Sequence, residues 1–438
     1  MEECNKLAKR GSANQELATE LKGGISSVRL VGKVRVASDT FEDPKCKEGK
    51  TWNSIRNTFG VEVSDGNVHY VTLQGGYKTD KPLIYTFNED LETIQVKWQD
   101  RFKDDILDTI PSSQKIVVSI EKDEDGKRIR KEFLHIIDVN EYLAEHLENG
   151  AEVVVMADVE RQPGKEDRVY TSYNLKMIAL NEEYTMKSGE VREPAKHEAL
   201  LRQTFLLNEY SLDKKWKKQL EDEGETLVSA FVPQYVSSIL VGDSYVKVKD
   251  KVSTSTLPIP VSFKIKLDTK ASDDAKASRI NLYKKWFSIG KEKVREFYMM
   301  MELNEGYTES TGDVEITAEM QELIDAGIMQ KEEIESEVTV RGERVSEIIF
   351  IKPGFVKDPD NPSQKVIAIR DDKYAEQALV MPNFNTEYED EIEEDEDDLG
   401  FGEDEFNNEE ETVEETVEED EEEDDPLAGM FDDDSIFD

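Results

Sequence analysis

Residues 28–36 read VRLVGKVRV, and apolar side chains alternate with polar ones along most of this stretch. Alternation with a period of two is typical of a β-strand that buries one face. The side chains on the buried side are predicted to be Val28, Leu30, Gly32, Val34 and Val36. The opposite side carries Val31 and a cationic stripe of Arg29, Lys33 and Arg35.

Four further strands are predicted downstream of this one. Residues 59–63 and 68–73 alternate in the same way around Asp65-Gly66, a pair that favours a tight hairpin. Residues 153–157 and 170–180 complete a set of five. Between them, an insertion over residues 75–148 holds its own hairpin, at 116–120 and 128–133, and a helix at 139–147.

The second half of the chain is again strand-rich. Strands are predicted at 203–207, 226–233, 244–248, 261–267, 294–302 and 345–351, and a helix at 318–326 between a Thr317 cap and Gly327. The predicted fold class is therefore mainly β: two OB-like β-barrel domains with a few short helices and a disordered acidic tail. The predicted divisions are an N-terminal segment (1–24), a first OB-like domain (25–183), a linker (184–200), a second OB-like domain (201–384) and the tail (385–438).

Charge is distributed very unevenly. The whole chain has a formal net charge of −44, but residues 385–438 hold 30 of its 99 acidic residues and none of its 55 basic ones, which leaves −14 on residues 1–384. Dense like charge with low hydrophobicity buries too little apolar surface to offset chain entropy. Disorder is therefore expected in the tail, which is interrupted by short apolar groups such as Ile436-Phe437.

Several function classes lack their signatures in this sequence. No phosphate-binding glycine loop occurs, and the four histidines and two cysteines have no zinc-site spacing. Residues 121–132 have the spacing of a calcium-binding loop, but strand-like flanks favour a plain hairpin turn. An enzyme, a cofactor and a metal are not expected. Two distant cysteines and the absence of a long apolar segment predict a cytoplasmic protein outside the membrane.

The five-strand order, with a glycine in the first strand and a long excursion before the fourth, resembles an OB-fold. The final residues, Asp432 to Asp438, resemble the acidic tips of bacterial and phage single-stranded-DNA-binding proteins. The resemblance implies single-stranded DNA as a partner, in replication or recombination. It also implies that Ile436 and Phe437 enter a pocket on replication or recombination proteins. Unlike those tips, this one has Asp438 after the phenylalanine and no preceding proline.

Binding of single strands without sequence preference needs cations along the backbone and aromatic faces for the bases. In an OB-fold these groups lie on strands two and three and on the adjoining loops. The predicted interface in the first domain comprises Arg29, Lys33, Arg35, Lys45, Lys47, Lys50, Trp52, Arg56 and Tyr70. Alternatively, the lysines belong to an ordinary solvated loop and Trp52 covers the barrel end.

The second domain repeats this interleaving of basic and aromatic residues at Trp216 and at Lys284, Lys285 and Trp286. Core packing of those aromatic rings explains the pattern equally well. A rival function also stays open, because a body of −14 is not the basic surface expected of a nucleic-acid binder. The rival is an acidic interaction protein, a chaperone or DNA mimic, that binds basic proteins.

Overall fold

Most of the regular structure in this chain is β-strand. The structure is a computed structural model, and it describes residues 17–46, 51–88, 92–124, 126, 128–165, 168–185, 191–241, 244–268, 270–309, 341–358 and 361–384. Helices are few and short within these ranges. The expected mainly β fold class is confirmed, whereas the predicted helix at 318–326 and the predicted disordered tail lie outside the described residues.

The strands and helices have the following bounds. The strands are β1 (Ser26–Arg35), β2 (Lys45–Cys46), β3 (Trp52–Ser64), β4 (Asn67–Lys78), β5 (Leu83–Phe87), β6 (Thr93–Lys97), β7 (Ile116–Lys122), β8 (Arg128–Phe133), β9 (Glu152–Pro163), β10 (Val169–Leu180), β11 (Tyr184–Thr185), β12 (Val191–Arg192), β13 (Glu198–Leu207), β14 (Glu225–Tyr235), β15 (Ser238–Val241), β16 (Ser244–Lys247), β17 (Thr256–Lys266), β18 (Arg295–Glu309), β19 (Arg341–Pro353), β20 (Phe355–Asp358), β21 (Asn361–Ile367) and β22 (Ile369–Arg370). The helices are α1 (Asp104–Leu107), α2 (Ile136–His146), α3 (Trp216–Glu223) and α4 (Asp273–Phe287).

Five strands of the first half close into a barrel, called barrel one here. The circuit runs β1-β3-β4-β10-β9 and returns to β1. Its neighbours are antiparallel except β4 and β10, which are parallel and pair Val71 with Tyr173. This is a five-stranded Greek-key barrel of the OB type, as expected from the sequence.

Gly32 lies where β1 turns from one neighbouring strand to another. Up to Val31 the strand pairs with β13, and from Lys33 it pairs with β3. A Cβ atom at Gly32 would lie 2.2 Å from the carbonyl oxygen of Glu62. Only glycine allows β3 to approach this closely, so Gly32 permits the closure of barrel one.

The second half repeats the same circuit in barrel two. Here the path runs β13-β14-β17-β19-β18 and returns to β13. The third and fifth strands, β17 and β19, are again the parallel neighbours, and they pair Lys264 with Ile349. Both barrels also place a helix between their third and fourth strands, α2 in barrel one and α4 in barrel two.

The two barrels share one continuous sheet. β1 pairs antiparallel with β13 over six residues, from Ser26 with Gln203 to Val31 with Glu198. The two first strands therefore meet with their N-terminal halves side by side, as across an approximate two-fold axis. Residues 198–200 lie in β13, although the sequence placed them in a linker. The domain boundaries themselves stay a prediction.

The helices α2 and α4 each pack apolar side chains against the core of their barrel. α2 buries Ile137, Val139 and Leu143, while α4 buries Ile280, Tyr283 and Phe287. The α4 helix was not predicted, although its buried residues have the i, i+3, i+7 spacing of a helix face. Its first turn is capped by Ser272, whose hydroxyl accepts a hydrogen bond from the amide of Ala275.

Within the insertion of barrel one, the hairpin and the segment before it pack against α2. The predicted hairpin is confirmed as β7 and β8, and β7 extends the sheet by pairing with β10. Earlier in the insertion, before this hairpin, Arg101 forms two hydrogen bonds of 2.8 and 2.9 Å with the Asp138 carboxylate on α2. The guanidinium of Arg101 also lies 4.1 Å from the centre of the Trp98 ring, which stacks on Tyr77 at 4.1 Å.

Candidate nucleic-acid interface

The outer face of β3 and β4 is the surface that OB-folds use for oligonucleotides. Phe59, Val61, Val71 and Leu73 point into the barrel and are buried. The alternate positions form outward cross-strand pairs, Arg56 with Gln74, Thr58 with Thr72 and Gly60 with Tyr70. Arg35 on β1 pairs with Gly60 from the other side. An arginine, a glycine and a tyrosine therefore form one row across three strands.

Gly60 leaves the middle of this row without a side chain. A Cβ atom there would lie 2.9 Å from the Val68 side chain and 3.1 Å from the Cβ of Arg35. Tyr70 stands beside this position with 54% of its surface exposed. Alternation along residues 68–73 predicts that Tyr70 and Thr72 both face outward. Tyr70 does so and is exposed, whereas Thr72 is buried beside its neighbour Asn174 on β10.

Tyr170 adds a second exposed ring on the same side of barrel one. It lies near the start of β10, is 60% exposed and pairs with Gln162 of β9. Tyr170 has the outward parity of Asn174, while Tyr173 and Leu175 point inward and are buried. Sequence reasoning did not single it out, although the alternation along this strand carries the signal.

Each cation of the predicted stripe lies beside a carboxylate. Arg29 forms an ion pair with Glu198 of β13, and Arg35 forms one with Glu62 of β3. Lys33 lies 4.0 Å from Glu152 of β9. The side chain of Arg29 is only 19% exposed where β1 joins β13, against 52% for Lys33 and 50% for Arg35. Ion pairs of exposed side chains are weak, so the carboxylates beside Lys33 and Arg35 can be replaced by another anion at modest cost.

The loop between the first two strands of barrel one is described in part. Lys45 pairs with Glu42 at 2.5 Å, whereas Lys47 and Lys50 lie outside the described residues. Trp52 is half-buried, and its ring covers Gly76, where a Cβ atom would lie 2.7 Å from the indole. Arg56 is exposed on the outer face of β3. Of the predicted loop residues, Arg56 therefore lies nearest the row of Arg35 and Tyr70.

The predicted aromatic residues of barrel two serve its core. Trp216 begins α3 and packs, half-buried, against the main apolar cluster. Trp286 on α4 also packs there, with its ring 5.9 Å from that of Phe350 and 6.3 Å from that of Phe297. Lys284 and Lys285 are exposed on the same helix. The structure thus places these residues away from the row of Arg35 and Tyr70.

Polar contacts tie the barrels together near the shared sheet. The hydroxyl of Tyr173 donates to Glu305 of β18 at 3.0 Å, and the amide of Glu305 donates to Asn67 at 2.8 Å. Burial, with the neighbouring Glu305 carboxylate, raises the pKa of Tyr173. The guanidinium of Arg161 donates to Gln203 of β13 at 2.7 Å, and burial lowers its pKa to about 10. Sequence reasoning missed this junction, because its members are far apart along the chain.

His69 is the other unusual buried group. Its ring lies beneath β4, fully buried, 6.3 Å from the Tyr173 ring. Neither ring nitrogen has a hydrogen-bond partner among the described residues. Burial lowers the pKa of His69 from 6.5 to about 4, so the imidazole is neutral at pH 7.

The described residues show neither a candidate metal site nor a membrane-spanning helix. They contain no group of three or more His, Cys, Asp or Glu side chains placed to hold a metal ion. They also contain no helix long and apolar enough to span a membrane. Ile436 and Phe437, the predicted partner-binding residues, lie outside the part of the chain that the structure covers.

Comparisons with known proteins give a structural likeness but no sequence match. No protein-family model matches the chain, and no curated protein matches it. A crystal structure of a deletion mutant of the single-stranded DNA binding protein from Thermus aquaticus is similar at a TM-score of 0.26 and 10% sequence identity. That likeness covers 65% of this chain and 89% of the other. At this TM-score it supports neither a shared fold nor a shared function.

Proposed function

We propose that this chain binds single-stranded DNA without sequence preference and without catalysis, on the outer face of barrel one. The observation that carries the proposal is the row of Arg35, Gly60 and Tyr70, with Tyr170 and Arg56 on the same face. Exposed aromatic rings offer stacking surfaces to bases of any sequence, at roughly 1 to 3 kcal/mol per base. The arginines supply charge for the phosphates.

The test is a titration with oligo-dT and with duplex DNA at several salt concentrations. Replacing Arg29, Lys33 and Arg35 together with alanine should weaken single-strand binding and flatten its salt dependence, by roughly 0.7 in the log-log slope per lost phosphate contact. A matched control replaces Lys122, Arg130 and Lys131, which also pair with carboxylates but lie on β7 and β8. Equal slopes for the two triple variants would contradict the proposed location.

A single substitution tests whether the carboxylates restrain the stripe. Glu62→Gln removes the negative partner of Arg35 and keeps the shape of the side chain. We expect a higher affinity for oligo-dT at low salt, since Arg35 no longer has to leave a carboxylate. An unchanged affinity would show that Arg35 does not contact the strand.

The acidic residues 385–438 are proposed to compete with DNA for the same cations. Thirty carboxylates tethered to the body have a high effective concentration near any basic surface. Deleting residues 385–438 should raise the affinity for single strands, and the gain should shrink with salt because screening shortens the range of the charges. Equal affinities of the two proteins at low salt would contradict the competition.

The proposed biological role is DNA replication or recombination, with Ile436 and Phe437 recruiting a partner protein. Neighbouring acids would steer encounter, and the aromatic side chain would supply the short-range energy. Changing both residues to serine should abolish capture of that partner and leave DNA affinity intact. Capture of the same partner by the serine variant would move the recruiting site elsewhere in the tail.

The rival function, binding of basic proteins by an acidic body, has one observation in its favour. All three cations of the stripe already lie beside carboxylates, and the body has a net charge of −14. The oligo-dT titration also tests this rival. Absence of salt-sensitive single-strand binding would favour it over the proposed function.

A further inference from the structure

The β15–β16 hairpin of barrel two lies at the contact between the barrels. One of its faces packs Ile239 and Val241 against an apolar cluster that contains Val236, Val248, Leu257 and Ile259. Val169, at the start of β10 in barrel one, packs against the same cluster. The hairpin therefore holds the end of a barrel-one strand against barrel two.

The opposite face of this hairpin carries an exposed ring. In the hairpin register Leu240 pairs with Tyr245, and Ser238 pairs with Lys247. Tyr245 is 61% exposed. Lys247 and Lys249 are exposed beside it. An exposed aromatic ring with adjacent lysines is the pairing of groups that single-strand contact requires.

Two further exposed tyrosines lie next to a contact between the barrels. Tyr235 is 41% exposed and follows Gln234, whose side-chain oxygen accepts a hydrogen bond of 3.2 Å from the backbone amide of Arg161 on β9. The next residue of β9, Gln162, pairs with Tyr170. Tyr170 and Tyr235 therefore flank the same contact between the barrels, one from each side.

We propose that the exposed face of the β15–β16 hairpin extends the nucleic-acid interface of barrel one. A single strand that crosses Tyr70 and Tyr170 continues over Tyr235 and Tyr245, with phosphates near Lys247 and Lys249. This inference depends on the proposed function and names a second contact surface for the same ligand.

The test compares short and long oligo-dT, about 8 and about 30 nucleotides, because one OB-fold occupies about 4 to 16 nucleotides. The full-length chain with Tyr245→Ala should bind the short oligonucleotide as the unmodified chain does and the long one on the order of tenfold more weakly. Tyr245→Phe, which keeps the ring, should retain the affinity for the long one. Tyr210→Ala is the matched control, since Tyr210 is 72% exposed on another loop of barrel two.

Each contrary result has a distinct meaning. If the unmodified chain binds no single strand of either length, the proposed function fails, and this inference fails with it. If the unmodified chain binds but Tyr245→Ala matches Tyr210→Ala at both lengths, only the hairpin surface is overturned. If Tyr245→Ala binds oligo-dT more tightly than the unmodified chain, the hairpin surface is also overturned, because Tyr245 would then hold a competitor of DNA. The acidic residues from 385 onward are a candidate for that competitor, since the preceding residue, Phe384, is buried in the same apolar cluster.

Discussion

Barrel one and barrel two share a strand order but present different chemistry on corresponding faces. On strands two and three, barrel one pairs Gly60 with Tyr70 and Thr58 with Thr72. Barrel two pairs Ser229 with Ser262 and Leu227 with Lys264. Lys264 is held in ion pairs with Glu225, at 2.6 Å, and with Glu347. The same strand order therefore carries different side chains in the two barrels. Barrel one has an exposed ring, Tyr70, among these pairs, whereas the two pairs named for barrel two contain no ring.

The cores of the two barrels also differ in their content of aromatic rings. Barrel two packs a cluster of rings around α4, with Phe287 within 5.3 to 6.5 Å of five neighbours, Phe263, Tyr283, Trp286, Phe297 and Phe350. Barrel one is built mainly from aliphatic side chains on its strands. Barrel two thus buries a large ring cluster and also leaves Tyr235 and Tyr245 exposed, whereas barrel one leaves Tyr70 and Tyr170 exposed above an aliphatic core. Aromatic content by itself therefore does not locate a binding face.

The largest effect on stability is expected from removing one ring from the aromatic cluster of barrel two. Phe287→Ala removes a fully buried ring and should lower the free energy of unfolding by about 3 to 5 kcal/mol. Chemical denaturation measures the loss. Leu143→Ala on α2, also fully buried, is the counterpart in barrel one. A clearly smaller loss for Phe287→Ala than for Leu143→Ala would contradict the assignment of the tighter aromatic core to barrel two.

A pH effect should come from barrel one, because its third strand buries His69 while the inward side chains of β17 are apolar. Below pH 6.5 the unfolded chain takes up a proton that the folded His69, with a pKa of about 4, does not. The free energy of unfolding should therefore fall by about 3 kcal/mol between pH 6.5 and pH 4 through this group. His69→Phe should remove that part of the decline when unfolding is followed across this range. An identical pH profile for the variant would show that His69 is not desolvated.

Barrel closure supplies the next contrast. β1 needs Gly32 at its closest approach to β3, whereas the sequence of β13 contains no glycine. Gly32→Ala should destabilise the protein by about 1 to 3 kcal/mol, because the added methyl group would meet the backbone of Glu62. Gly23→Ala is a suitable control, since open space surrounds that position. Thermal unfolding of both variants measures the difference, and equal melting temperatures would contradict the close approach.

The smallest effect concerns the outer faces themselves. Tyr70→Ala should weaken binding of oligo-dT on the order of tenfold without lowering stability, because the ring is exposed. Ser262→Ala, on the outward side of the third strand in barrel two, should leave binding unchanged. Fluorescence anisotropy with a labelled oligonucleotide separates the two. Equal affinities would remove the functional asymmetry between the barrels.

Much of the fold could be predicted because strand alternation and turn residues are local signals. The five strands of barrel one, the Asp65-Gly66 turn and the inserted hairpin all have such signals. The α4 helix also has them, in its Ser272 cap and in the i, i+3, i+7 spacing of Ile280, Tyr283 and Phe287, but its aromatic and basic residues were assigned to a binding surface instead. For the candidate site, the outward orientation of Tyr70 followed from alternation, whereas the core contacts of Trp286 did not. A ring beside lysines has the same sequence pattern whether it faces solvent or Phe350.

The sequence by itself determined where strands form, which of their faces is apolar and that residues 385–438 are strongly acidic. These properties depend on neighbouring residues and on composition. Only the tertiary structure decided that β1 and β13 join two barrels, and that the cationic stripe lies beside carboxylates. Arg35 and Glu62 are 27 residues apart in the chain, and Arg29 and Glu198 are 169 apart. The physical reason is that strand pairing brings distant residues into contact, and no local pattern records which residue will lie opposite.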